Sequence, residues 1–82
     1  GWDAIQAVAP AQDRSVVMVY RAQGDLPART FRPRGLLPDV TYRVTLAGEA
    51  SARSGAALAE DGLLVALPEF GAAIVEIERI DA

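Results

Sequence analysis

The segment VTYRVTL, residues 40–46, alternates apolar and polar side chains without a break. Successive side chains of a β-strand point to opposite sides of the sheet, so every second residue here faces the same way. Seven alternating residues rich in β-branched and aromatic types predict a strand with one buried and one polar face. A turn is predicted just before it at Leu37-Pro38-Asp39, because proline presets the backbone for such turns. The predicted buried set is Val40, Tyr42, Val44 and Leu46.

Two other segments are apolar at every position, namely VVMVY at residues 16–20 and LLVAL at residues 63–67. A strand with two apolar faces is typically covered on both of them. One face of each strand can belong to the domain's own core, and the other face then needs a second layer or a partner. The predicted interface positions on these strands are Val17, Val19, Leu64 and Ala66.

The chain length of 82 residues fits one domain and leaves no room for two. Hydrophobic residues make up 51% of the chain, although a small domain has proportionally more surface than a large one. This surplus again predicts an apolar surface that packs against something else. The sequence begins with Gly1-Trp2 and has no initiator Met, so we expect a piece of a longer protein. A homodimer formed through the apolar face is the alternative.

Composition also argues against several classes of function. The absence of Cys and His removes disulfides, thiolate chemistry, the usual general base near neutral pH and the commonest metal ligand. No cofactor is therefore expected. A net charge of −3 argues against a nucleic-acid partner, and no run reaches the roughly 18 apolar residues of a membrane span. No secretory signal is recognisable, which favours a cytoplasmic location.

The remaining segments predict further short strands and one helical turn. Strands are expected at residues 2–9, at 28–32, where Pro33 ends the ladder, and at 72–80. Small polar residues predict a loop at 48–53. Residues 54–62 predict a short helix, with Ser54 as N-cap and Gly62 in a left-handed conformation beyond its end. Six strands at this spacing predict an all-β fold, a small antiparallel β-sandwich of residues 1–82.

Two carboxylates are the strongest candidates for chemistry. Glu76 and Glu78 lie two apart on the last strand, so their side chains project from one face about 7 Å apart. That spacing suits an acid/base pair of a glycosidase. These residues alternate with the inward-facing Val75 and Ile77, however, and a general acid needs burial. A solvated outer face is the better interpretation, and no catalytic residue is predicted.

Aromatic residues offer the second kind of site. Flat rings can stack on a sugar, but Tyr20 and Tyr42 lie in apolar strands and are predicted to be core residues. Trp2 and Phe70 remain as candidates for carbohydrate or domain contact. Arginines at 29, 32 and 34 flank an aromatic residue, and in an acidic domain they predict a solvated edge or an ion-pairing patch at a domain interface rather than a nucleic-acid surface.

Three segments, taken in order, resemble one family. Residues 2–21, WDAIQAVAPAQDRSVVMVYR, resemble its pattern of Trp, a strand, a Pro/Asp/Arg turn and a hydrophobic strand ending in Tyr-Arg. Residues 34–44, RGLLPDVTYRV, resemble its Gly-Leu, Pro-Asp and Tyr-x-Val pattern. Residues 54–67, SGAALAEDGLLVAL, resemble its Ser-Gly-x-x-Leu-x-x-x-Gly-Leu pattern before a strand. The family is the C-terminal domain of glycoside hydrolase family 36, the bacterial-type α-galactosidases. Pro33 and Leu37 depart from its pattern.

The resemblance implies a division of labour. In that family a (β/α)8 barrel carries the catalytic aspartates, and a small antiparallel β-sandwich follows and packs on it. Only that trailing domain is matched, so no catalytic residue carries over. The resemblance implies a non-catalytic accessory domain whose partner is the barrel of its own chain, with a galactoside as a further candidate partner. A carbohydrate-binding module and an immunoglobulin-like structural domain of unrelated origin are the alternatives.

Overall fold

The computed structural model describes residues 2–11, 13–22 and 26–80. These residues form seven β-strands and one short α-helix. In chain order the elements are β1 (Trp2–Val8), β2 (Arg14–Arg21), β3 (Ala28–Phe31), β4 (Thr41–Leu46), β5 (Glu49–Ser54), α1 (Gly55–Asp61), β6 (Leu63–Ala66) and β7 (Ala72–Arg79).

The strands form two antiparallel sheets. The large sheet has the order β1-β2-β7-β4-β5, and the small sheet pairs β3 with β6. The small sheet and α1 lie over one face of the large sheet, and their apolar side chains join it in a single core. The predicted all-β sandwich is therefore confirmed. As expected, β3 ends before Pro33, which has no N–H for a ladder.

The alternating strand β4 supplies the centre of this core. Tyr42 is fully buried, and its hydroxyl accepts a hydrogen bond of 3.0 Å from the backbone N–H of Leu37 in the preceding turn. Burying this large ring does not leave a polar atom unsatisfied, because the hydroxyl oxygen has a hydrogen-bond partner. The buried core comprises Val17, Val19, Val40, Tyr42, Val44, Leu58, Leu63, Val65, Val75 and Ile77.

The prediction of a loop at residues 48–53 is wrong, because residues Glu49–Ser54 form strand β5. Ala47 and Gly48 both have positive φ, 53° and 80°, and they make the two-residue turn that joins neighbouring antiparallel strands. The tight turn lays β5 directly along β4, with Leu46 opposite Glu49. β5 is an edge strand with mostly exposed side chains, so its sequence lacks the apolar alternation of a half-buried strand.

Helix α1 begins where the sequence predicts. The Ser54 hydroxyl accepts a hydrogen bond from the backbone N–H of Ala57 at 3.0 Å, as an N-cap does. The buried Leu58 anchors the helix in the core. Gly62 ends it with φ 74° and ψ −170°. The positive φ was expected, but this ψ lies outside the left-handed helical region.

The first residue of α1 touches the turn before β4, backbone against backbone. The N–H of Gly55 donates to the carbonyl of Val40 at 2.9 Å, and the N–H of Ala56 donates to that of Pro38 at 3.2 Å. A Cβ atom at Gly55 would lie 2.0 Å from the carbonyl oxygen of Leu37. Glycine is therefore required here, and two of the sequence motifs described above meet at this point.

We expect Gly55→Ala to lower the free energy of unfolding by about 3 kcal/mol, the upper end of overpacking costs. Helix propensity alone predicts the opposite sign, since alanine is favoured over glycine by about 1 kcal/mol. The matched control is Ala59→Gly, on the exposed side of the same helix, with an expected loss of about 1 kcal/mol. Urea denaturation of both variants measures the difference. A stabilised Gly55→Ala variant would contradict the close backbone contact.

Candidate functional site

The face of the large sheet that points away from the core carries a row of apolar side chains. Ile5 of β1 pairs with Met18 of β2, and Met18 pairs in turn with Ile74 of β7. Paired residues of neighbouring strands project to the same side of a sheet. Tyr20 and Ala72 are paired in the next row toward the N-terminus of β1. The five side chains therefore lie together on one surface.

These five residues, Ile5, Met18, Tyr20, Ala72 and Ile74, form what we call the apolar patch. The exposed fractions are 70% for Ile5, 55% for Met18 and 57% for Ile74. A shallow depression of about 590 Å³ lies over the patch, with Asp3 at its rim. Neither the small sheet nor α1 covers this side of the large sheet. Grouped apolar side chains of this size at a surface are typical of an interaction site.

The opposite end of the same face is charged. Arg14 of β2 pairs with Glu78 of β7, and Glu78 pairs with Arg43 of β4. The carboxylate of Glu78 lies 3.9 Å from the Arg14 guanidinium and 3.4 Å from that of Arg43. All three side chains are about half exposed or more. We call this group, with Glu76, the charged end; its ion pairs are solvated and suit a surface in water.

The two candidate carboxylates lie in this charged end. Glu76 and Glu78 are exposed and project outward, while Ala73, Val75 and Ile77 face the core, as the alternation of the last strand predicts. A general acid has to be shielded from water to hold its proton near neutral pH. The surroundings of these carboxylates do not provide that shielding, so the solvated outer face is supported.

One half of the predicted interface needs a correction. Val17 and Val19 are buried inside the core, with 6% and 2% exposure, and cannot reach a partner domain. The predicted interface lies on the wrong face of β2. Both faces of VVMVY are apolar, so the local sequence does not show which of them is buried. Tyr20, predicted as core, is 42% exposed for the same reason. Leu64 and Ala66 do lie on the exposed side of β6, so their assignment stays a prediction.

The two aromatic candidates differ in how far they are already engaged. The indole N–H of Trp2 donates to the carbonyl of Leu26 at 3.0 Å, and its ring packs at 59° against that of Phe31, 5.9 Å away. Trp2 is half-buried beside the core. Phe70 is 58% exposed in the β6–β7 turn, with φ 61°. A contact of either residue with carbohydrate or another domain stays a prediction.

The arginines near Phe31 make contacts within the domain. The guanidinium of Arg29 lies 5.7 Å from the centre of the Phe31 ring, within cation–π range. Arg32 donates to the carbonyl of Glu60 at 3.4 Å, and the backbone carbonyl of Arg34 accepts from the Gln6 amide at 2.7 Å. These contacts join β3 and the segment after it to α1 and β1.

Residues 2–11, 13–22 and 26–80 contain neither a metal-binding cluster nor a membrane-spanning helix. No three Asp or Glu side chains come together there in a way that could hold a metal ion. Helix α1, with seven residues, is too short to cross a membrane, and it is the longest helix in the described part of the chain.

Residues 2–77 match the model of the glycosyl hydrolase family 36 C-terminal domain. Since the match covers most of the chain, the chain belongs to this family, and an unrelated immunoglobulin-like origin is excluded. The resemblance seen in the three ordered motifs is thereby confirmed. Comparison with curated protein sequences found no significant match.

Solved structures of α-galactosidases contain the same fold. The galactosidase domain of an α-galactosidase–sucrose kinase is similar with 26% identity and a TM-score of 0.80, over 96% of this chain. The α-galactosidase from Lactobacillus brevis has 19% identity and a TM-score of 0.80 over 99%. A GH36 α-galactosidase from Geobacillus stearothermophilus has 18% identity and a TM-score of 0.75 over 96%. The present chain spans only 11–12% of these solved chains.

The sequence predicts an uncovered apolar surface but places it on the wrong face of β2, although one signal for the correct position is present. The outward direction of Glu76 on β7 implies that Ile74, two residues earlier, also points outward. The pairing of Ile74 with Met18 and of Met18 with Ile5 depends on strand order. That order could not be deduced from any one segment.

We expect Glu76→Gln and Glu78→Gln, singly or together, to leave any hydrolase activity of a protein that contains this domain within about twofold, since neither carboxylate is shielded. Glu78→Gln also weakens two exposed ion pairs, which changes the free energy of unfolding by less than about 1 kcal/mol. Steady-state kinetics and urea denaturation measure these effects. A loss of kcat by a factor of a hundred or more would identify a catalytic role that we do not expect.

Proposed function

We propose that this domain is a non-catalytic accessory domain of an α-galactosidase-like glycoside hydrolase, which packs on and stabilises the catalytic domain that hydrolyses terminal α-galactosides. The observation that carries this proposal is the apolar patch, a surface that the domain leaves open to water. Membership of the family supports it, as does the small share of the solved α-galactosidases that the chain spans.

Burial of the patch is large enough to matter for stability. Fully burying one large apolar side chain contributes about 1.5–3 kcal/mol. Ile5, Met18 and Ile74 each still expose more than half of their surface, so covering all three contributes several kcal/mol. A domain interface needs no catalytic group from this side, which agrees with the exposed position of Glu76 and Glu78.

Deletion of residues 1–82 from the full-length chain tests the proposal. We expect the truncated enzyme to lose solubility and to unfold at a lower temperature, since an apolar surface of the catalytic domain would be uncovered. The material that stays folded should keep its kcat within a few fold. Differential scanning calorimetry and steady-state kinetics measure the two effects. A truncated enzyme with unchanged Tm and solubility would refute an accessory stabilising role.

A galactoside contact at Phe70 is the second candidate function. Phe70 is the third residue of the turn that the Gly71 N–H closes by donating to the Pro68 carbonyl at 2.8 Å, a position where a positive φ occurs, and its ring is exposed at the tip of that turn. We expect binding of a galactoside to this domain, if it occurs, to be lost in Phe70→Ala and kept in Leu64→Ala, an exposed apolar control on β6. Calorimetric titration measures both variants. Equal binding by both would remove Phe70 from the site.

A further inference from the structure

The apolar patch lies at one end of the outer sheet face, and that end is the one where β1 begins. The row nearest the start of β1 contains Asp3, Tyr20 and Ala72, and the next contains Ile5, Met18 and Ile74. Toward the other end of β1 the polarity changes. Ala7 and Val16 there share a row with Glu76, which is the first residue of the charged end.

This gradient matters because of the direction in which a longer chain would arrive. Polypeptide preceding Trp2 would enter at the edge strand β1, beside Asp3 and Ile5. β7 runs the opposite way, so polypeptide following Arg79 would leave from the charged end. A partner segment joined to Trp2 by a short connection has a high effective concentration at the patch.

We infer that the domain docks through the apolar patch alone onto an apolar surface of the polypeptide that precedes it in the same chain, while the charged end stays in water. This inference rests on the proposed accessory function and adds the surface through which the domain docks. The occupant is apolar because the patch presents Ile5, Met18 and Ile74, with the single carboxylate of Asp3 at its rim.

The outer face of the small sheet is the competing surface, since the sequence predicts interface positions there at Leu64 and Ala66, but it is less suited. Leu64 is 67% exposed there, but its partner across the ladder is Thr30. The adjacent pair on that face is Ala28 with Ala66. One large apolar side chain among small and polar ones is ordinary for a protein surface, whereas three in a row are not.

Charge substitutions in the full-length chain test the docking surface. We expect Met18→Glu and Ile74→Glu to shorten the half-life of thermal inactivation at least tenfold, since each places a carboxylate in an apolar contact. Leu64→Glu is the matched control, a large exposed apolar residue changed in the same way, with an expected effect under twofold. Far-UV circular dichroism of the 82-residue variants checks that each still forms its strands. A large effect of Leu64→Glu with none from the patch variants would overturn the inference.

Cross-linking gives a second measurement that does not depend on stability. A photoreactive benzophenone side chain at position 18 should form a link within one chain, to a segment before Trp2, identified by mass spectrometry. The same group at position 64 should form no such link. Links from position 18 to a second copy, with an oligomer in size-exclusion chromatography, would overturn the choice of occupant.

The deletion experiment distinguishes a failure of the docking surface from a failure of the accessory function. If removal of residues 1–82 lowers stability but the two patch variants do not, the accessory function stands and the docking surface is wrong. If removal has no effect, the accessory function itself fails. Agreement of deletion, patch variants and cross-links supports both.

Discussion

A five-stranded sheet has two faces, and within residues 2–11, 13–22 and 26–80 only one of them is covered. The small sheet and α1 cover the inner face, where Tyr42, Val75 and Ile77 are buried. On the outer face, nothing in the described part of the chain lies over Ile5, Met18 or Ile74. This imbalance explains the high apolar content of so short a chain. It also underlies the functional proposal, because the uncovered apolar side chains are most stable against another apolar surface.

The covered face depends on one close contact between the turn before β4 and the start of α1. Gly55, the first residue of α1, lies against the carbonyl of Leu37, and its N–H bonds the carbonyl of Val40. The hydroxyl of Tyr42 holds the Leu37 N–H from the other side. The turn, β4 and α1 thus form a single unit, and Leu58 of α1 packs into the core. The family's second and third motifs contain these residues, which gives those motifs a structural meaning.

The outer face combines two surfaces of different polarity on one set of strands. In its charged end, Arg14 and Arg43 compensate the charge of the Glu78 carboxylate, and these exposed side chains are stable in water. Its apolar patch is not. Because the change occurs along the strands and not between them, β2 and β7 each contribute to both surfaces. The domain can therefore present a restricted footprint to a partner while keeping the rest of the face soluble.

Alternation within single segments determined much of this protein in advance. It identified the strands around Tyr42 and Ile77 and their inward faces, and the Ser54 cap and the ordered motifs identified α1 and the family. Only the tertiary structure decided which face of VVMVY is buried, since both are apolar and local sequence carries no preference. It also made β5 a strand, through the hairpin at Ala47-Gly48. The apolar patch has the same origin: its residues are far apart in sequence, and only strand order brings them together.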